Sequence, residues 1–191
     1  MGEFMALGRI DWAVAVVAPK PSDQLLEIGC GHGVAVTNVC ERLVDGGIVA
    51  IDRSATMVAA AMRRNAVHLA AGRAIVQVAD LRSLDLDHRR FDKVFAIRVG
   101  VFRRGDPTRE FAALVRLLKP EGRLFLFHDE PSTGADEVGA RIEAAVLRHR
   151  WNVEARSTHV FDGGEVACVI ARPPSYSAAR LIRRAKVAVA L

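Results

Sequence analysis

The chain has 191 residues, of which 51% are apolar and 26% charged, and a formal net charge of +5. That length and composition suit one folded domain with its own core and exclude a disordered or low-complexity chain. No apolar run reaches the roughly 18 residues of a membrane span, and the three cysteines, none in a Cys-x-x-Cys pair, argue against a disulfide framework or structural zinc.

In chain order, Met1-Gly2-Glu3-Phe4 precede a second methionine, Met5, and Glu-Phe is what an EcoRI cloning site encodes. Met5 is therefore expected to be the native start, with residues 1–4 a cloning scar. Arg9 is the only basic residue before the apolar stretch at 12–18, so no signal peptide is read, and a reducing cytoplasm is the expected location. Residues 10–18 read as a short helix stopped by Pro19 and Pro21, closing an N-terminal segment over 1–19. Residues 24–28 form the first strand. A helix over 34–44 stops at Asp45-Gly46-Gly47. A second strand over 48–51 ends at Asp52. Ser54 is the N-cap of a helix running to Ala71, with Met57, Val58, Ala61, Met62 and Leu69 on one stripe.

The third strand, 74–79, ends at Asp80. After a polar loop over 85–90 comes a fourth, 92–97. A helix follows Pro107 through Leu118, with Phe111, Leu114, Val115 and Leu118 at helical spacing. Lys119-Pro120-Glu121-Gly122 reads as a turn, 123–128 as a fifth strand and 136–150 as a helix. Two strands over 152–161 and 165–171, joined by Asp162-Gly163-Gly164, make a closing hairpin. Alternating β and α units predict an α/β domain over 20–172 built on a doubly wound, mostly parallel sheet. Residues 173–191 are a basic tail carrying Arg180, Arg183, Arg184 and Lys186; without these four charges the body carries about +1. Such a tail can attract nucleic acid, but it is more often a solvated end.

The most informative stretch is Leu25-Leu26-Glu27-Ile28-Gly29-Cys30-Gly31-His32-Gly33, a strand entering three alternate glycines before a helix. Glycines serve where backbone turns tightly or approaches a ligand, and the helix start offers free N–H groups. A dinucleotide fingerprint needs Gly-x-Gly-x-x-Gly, and Val34 stands where its last glycine would fall. Glu27 also opposes pyrophosphate: a carboxylate about 4 Å from it would cost roughly 4 kcal/mol at an effective dielectric of ~20. A cationic ligand reverses that sign. Asp52 and Asp80 complete three acids at successive strand ends. A carboxylate ending the second strand can accept both ribose hydroxyls of an adenosine, and one ending the third can accept from the adenine amino group. In open sheets of this kind the ligand lies beyond the carboxyl ends of the strands, where the strand order reverses.

The glycine turn resembles motif I of the class I S-adenosylmethionine (SAM)-dependent methyltransferases. Val49-Ala50-Ile51-Asp52-Arg53-Ser54 resembles motif II and Val76-Gln77-Val78-Ala79-Asp80-Leu81 motif III. Phe91-Asp92-Lys93-Val94-Phe95-Ala96 looks like the fourth-strand motif, and Leu117-Leu118-Lys119-Pro120-Glu121-Gly122-Arg123 like the turn into the fifth. The resemblance, in the small-molecule branch of the family, implies a seven-stranded Rossmann-like sheet of order 3-2-1-4-5-7-6 with strand 7 antiparallel and helices on both faces. It implies SAM as cofactor and S-adenosylhomocysteine (SAH) as product. In it Glu27 orients the loop at the methionine end, while Gly29, Cys30 and Gly31 supply close backbone in the turn that Gly33 ends. Asp52 takes the ribose hydroxyls, Arg53 and Met57 flank the adenine, Asp80 with Leu81 binds its edge, and backbone near Ile97 faces the methionine end.

The expected activity is in-line methyl transfer to an unidentified small molecule, with much of the acceleration from alignment and a base needed only for an acceptor that keeps its proton. His128 and Asp129, ending the fifth strand, are candidate bases. His32 is expected to pack near the cofactor. Arg98, Arg103 and Arg104 are read as a solvated loop, with an anionic acceptor as the alternative. Methylation of RNA and non-catalytic SAM binding are the rival functions. No metal is expected. The short connection at 131–135 leaves the acceptor site open, closed by a second subunit in a homodimer, or covered by the N-terminal helix or the tail.

Overall fold

A computed structural model describes residues 8–86, 89–130 and 133–174. The scar expected at 1–4 and the tail beyond Pro174 lie outside the described residues. Helix α1 (Arg9–Val17) leads into strand β1 (Gln24–Ile28), followed by α2 (Val34–Cys40), β2 (Gly47–Asp52), α3 (Ala55–Arg64), α4 (Ala66–Ala70) and β3 (Ala74–Val78). A 3-10 turn (Leu81–Ser83) precedes β4 (Phe91–Ile97), then α5 (Val101–Arg104), α6 (Thr108–Leu117), β5 (Leu118–His128), α7 (Ala135–Arg148), β6 (Asn152–Phe161) and β7 (Gly164–Arg172).

The seven strands form one sheet in the order β3-β2-β1-β4-β5-β7-β6. The first five are mutually parallel; β7 runs antiparallel to both β5 and β6. The expected architecture is the one observed. The central strands are apolar on both faces, as a covered parallel sheet requires. Alternate residues feed two cores. Leu25, Ile48, Ala50 and Phe95 pack under α1, α2 and α3, whereas Leu26, Val49, Ile51 and Val94 pack under α5, α6 and α7. Leu25 and Leu26 have no exposed surface, and each such side chain contributes about 1.5–3 kcal/mol of burial. At the amino end of the sheet the buried Lys93 pairs with Asp23 at 2.8 Å and donates to the Ala18 carbonyl at 2.6 Å, so its charge is compensated. No helix among the described residues is long and apolar enough to cross a membrane.

The elements differ from the sequence reading in four places. The helix expected over 34–44 ends at Cys40. The helix expected from Ser54 to Ala71 breaks at Asn65, whose side chain reaches across to the glycine turn; Met62, assigned to the buried stripe, is 43% exposed. The turn at 119–122 is a bulge inside β5: Phe91 aligns with Leu118, but Lys93 aligns with Arg123. Finally, the region after β4 is only in part a solvated loop, with the Arg98 and Arg104 side chains 50% and 67% exposed. It contains α5, and the Arg103 side chain is 6% exposed and paired with Glu130.

Candidate active site

The site is assembled where β1 separates from its two parallel neighbours, β2 and β4. After Ile28 the chain turns through Gly29, Gly31 and Gly33, all at positive φ. The Gly29 and Cys30 N–H groups donate to the Ile51 carbonyl at 2.8 and 3.0 Å, tying the turn to the end of β2. Gly33 has the tightest surroundings: a Cβ there would lie 2.6 Å from Asn65 Nδ2 and 3.0 Å from the Ala61 Cα. At Gly31 a Cβ would meet nothing within 4 Å, so this stretch of turn faces open space.

Asp52 locks the turn from the other side. Its Oδ2 accepts the Gly31 N–H at 3.0 Å, and its Oδ1 accepts the Ser54 N–H at 2.9 Å. The Ser54 hydroxyl then caps α3 by accepting the Met57 N–H at 3.3 Å. Glu27 lies beneath the turn, 3% exposed. Burial, and secondarily the charge of Asp52, push its carboxyl up to about 8. Its Oε2 is buried and has no hydrogen-bond partner among the described residues. A buried acid without a partner is costly unless protonated or matched by a cation. Burial, followed by the charges of Glu27 and Asp52, also pushes the Cys30 thiol up to about 12, which removes it as a nucleophile.

A cleft of about 410 Å³ opens beyond these strand ends. Gly29, Asp52, Arg53, Asp80, Leu81 and Ile97 of the sequence-predicted residues line it. Cys30, Gly31, Gly33 and Met57 do not, and Glu27 sits below it. Asp80 is engaged: Arg82 donates to its Oδ1 through Nε at 2.9 Å and to its Oδ2 through Nη2 at 2.6 Å. Those bonds, then the Arg82 N–H, hold the Asp80 carboxyl down at about 2. Arg82 Nε also lies 3.8 Å from Oε1 of Glu110, a buried residue in the first turn of α6 that lines the cleft.

His128 and Asp129 do not line the cleft. His128 is 8% exposed, and burial holds its imidazole below the ordinary range. Asp129 accepts from Arg9 Nη1 at 3.0 Å and has Arg98 Nε 3.5 Å from its other oxygen. His32 is exposed, and its carbonyl accepts from Arg64 Nε at 3.0 Å. Three residues escaped the sequence reading. Asn65 holds the Gly33 carbonyl at 2.9 Å; an Asn in mid-helix, where it competes with the backbone, was the available signal. Arg82, two residues after Asp80, and Glu110 meet only through the fold.

Residues 25–122, just over half the chain, match the model of the family described as "Methyltransferase domain". The nocamycin O-methyltransferase of Saccharothrix syringae is 31% identical over 138 residues, which cover 68% of this chain and 48% of that protein. The chain thus spans about half the length of this curated relative. Among solved structures, a SAM-dependent methyltransferase from Aquifex aeolicus superposes with a TM-score of 0.70 at 17% identity, covering 86% of this chain and 89% of that one. The [4+2]-cyclase SpnF gives a TM-score of 0.70 at 15% identity, with 87% and 80% covered. The glycine turn, the acids at the ends of β1, β2 and β3, the strand order and the family match all agree: the chain belongs to the class I methyltransferase family, whose cofactor is S-adenosylmethionine.

Proposed function

We propose that the protein transfers a methyl group from SAM to a small-molecule acceptor through an oxygen atom. One observation carries the site assignment: the unpartnered carboxylate oxygen of Glu27, buried under a glycine turn that Asp52 ties down. This arrangement suits a ligand with a cationic end joined to an adenosine and disfavours a pyrophosphate. When bound, SAM supplies a methyl carbon made electrophilic by a positively charged sulfur.

In this reading Glu27 orients the turn at the methionine end, and Gly29, Cys30 and Gly31 allow close approach of backbone. Asp52 accepts from the ribose while keeping its bond to Gly31. Arg53 and Met57 flank the adenine, Asp80 and Leu81 meet its edge, and the backbone near Ile97 faces the methionine end. Positioning then provides most of the acceleration. His128 and Asp129, the candidate bases for an acceptor that retains its proton, stand outside the cleft lining, so neither is assigned a direct part. The named O-methyltransferase relative supports an oxygen acceptor, and the three buried free thiols suit a reducing cytoplasm.

Calorimetry with SAM, SAH and NAD is the decisive test. Binding of SAM and SAH without NAD is expected. Failure of both to bind overturns the proposal, and binding without transfer to any metabolite leaves a SAM-binding protein.

A further inference from the structure

The cleft carries a second message in the charges that line it. Its ionisable lining side chains among the described residues are Asp52, Arg53, Asp80, Arg82, Arg98 and Glu110; no histidine, cysteine, lysine or tyrosine is among them. Both Asp52 oxygens are taken by backbone N–H groups, and both Asp80 oxygens by Arg82. Glu110 faces the same Arg82. A carboxylate is in any case a weak base for an alcohol or amine. The cleft wall therefore offers an acceptor no ready way to lose a proton.

Arg98 is placed differently from the other two cations. It follows β4, three strand positions from Asp80 at the end of β3, which is about 14 Å at the usual strand spacing. It thus marks the end of the cleft away from the proposed adenine position. Its backbone is left-handed, with φ 60°, unusual for a residue other than glycine, and its N–H is held by the Phe127 carbonyl at 2.9 Å. Strain of this kind persists where the surroundings impose it, often at functional sites. The guanidinium is half-exposed and donates no hydrogen bond among the described residues; its charge contact there is Asp129, at 3.5 Å. Asp129 already answers Arg9, and Glu130 answers both Arg103 and Arg104. Among the described residues, four guanidiniums thus face two carboxylates, leaving this rim net positive.

We propose that the acceptor reaches the cleft already ionised, as an oxyanion of carboxylate type or of an equally acidic enol, and that Arg98 is the cation that receives it. This rests on the methyl-transfer reading above. An acceptor-oxygen lone pair forms the new C–O bond, the C–S bond breaks with its electron pair passing to sulfur, and no proton is released. The methylated product is neutral and loses its attraction to Arg98, which favours its departure.

The test uses the full chain and tritiated SAM with aromatic and aliphatic carboxylic acids and cyclic 1,3-diketones, each acid set against its primary amide, plus simple alcohols and amines. Transfer to an acidic acceptor at ten or more times the rate of every neutral one is expected. Arg98→Gly relieves the left-handed backbone while removing the charge, so it keeps the fold and should raise the melting temperature. It and Arg98→Gln should lower kcat/KM for that acceptor by about tenfold, the worth of one charge-assisted hydrogen bond, while SAH affinity by calorimetry is retained. Arg98→Lys should restore part of the loss. Preference for neutral acceptors, an Arg98→Gly protein of undiminished activity, or a SAH-binding protein that accepts none of the acids each overturns the inference. A protein that binds neither SAM nor SAH defeats the methyl-transfer reading itself, whereas a preference for neutral acceptors defeats this inference and leaves the methyl-transfer reading standing.

Discussion

Asp52 Oδ2 accepts the Gly31 N–H at 3.0 Å, so the acid proposed to hold the ribose also holds the turn beneath it. Its second oxygen is bonded to the Ser54 N–H. Replacing Asp52 with Ala leaves two backbone donors without their acceptor. We expect a loss of about 1–3 kcal/mol in SAM binding, the range for charge-assisted hydrogen bonds, and a lower melting temperature as well. Asp52→Asn keeps an acceptor oxygen and should recover more stability than affinity. Calorimetry and thermal melts on the two variants read these effects separately.

Glu27 predicts a pH dependence with a definite sign. The folded protein keeps this proton up to about pH 8, whereas the unfolded chain releases it near 4.5. The folded state therefore binds more protons across that window, and stability falls as pH rises through it. Glu27→Gln should flatten the decline in chemical denaturation at pH 5, 6.5 and 8. A cationic ligand favours the ionised carboxylate, so SAM binding should release protons at pH 7 and tighten towards pH 8. Calorimetry in buffers of different ionisation enthalpy counts those protons, and Glu27→Gln should abolish the release.

The three glycines of the turn should not respond alike to alanine. Gly33→Ala combines left-handed backbone with a Cβ 3.0 Å from the Ala61 main chain, and should cost upwards of about 2 kcal/mol in stability. Gly31→Ala places its Cβ in open space at φ 51°. It should cost only about 1 kcal/mol in folding, with its larger effect on SAM affinity. Melting temperatures and calorimetry on the pair check the reversed order of the two effects.

Asn65 is fully buried and bonds to the Gly33 and Ala61 carbonyls and the Thr37 hydroxyl. Asn65→Leu preserves bulk but strands these groups, and should destabilise by about 2–3 kcal/mol. Urea unfolding measures it. The same variant should weaken SAM binding through a looser turn, although Asn65 itself does not line the cleft.

The parts of the fold legible in the sequence were those with a local cause. Strand β1 begins and ends where its apolar run and Gly29 predict, and the closing hairpin falls on the glycines that permit its turn. The acids at 27, 52 and 80 could be placed because parallel strands end on a common edge. What escaped was set by distant partners. Asn65 breaks a helix that local propensity alone would continue, because Gly33, far back in the chain, supplies its hydrogen bond. Arg103 reads as a surface residue until Glu130 is folded against it. The approach of Glu110 to Arg82 likewise depends on α6 packing over the turn after β3, whereas the engagement of Asp80 by Arg82, two residues on, is local. Even within the predicted cofactor set, sequence could not separate Glu27, which lies below the cleft, from Asp52, which lines its wall.

The contact between Arg9 and Asp129 also constrains the order of assembly. During synthesis Arg9 emerges early, but its carboxylate partner is added 120 positions later, about 6–24 s at usual elongation rates. Of the rings that meet Trp12, Phe127 at 5.7 Å is added just before Asp129, and His159 at 5.1 Å comes later still. Helix α1 can find α2 as soon as that helix exists, yet its grip on the rim awaits nearly the whole sheet. The positive rim beside the cleft is therefore completed only when the first helix and the last hairpin have come together.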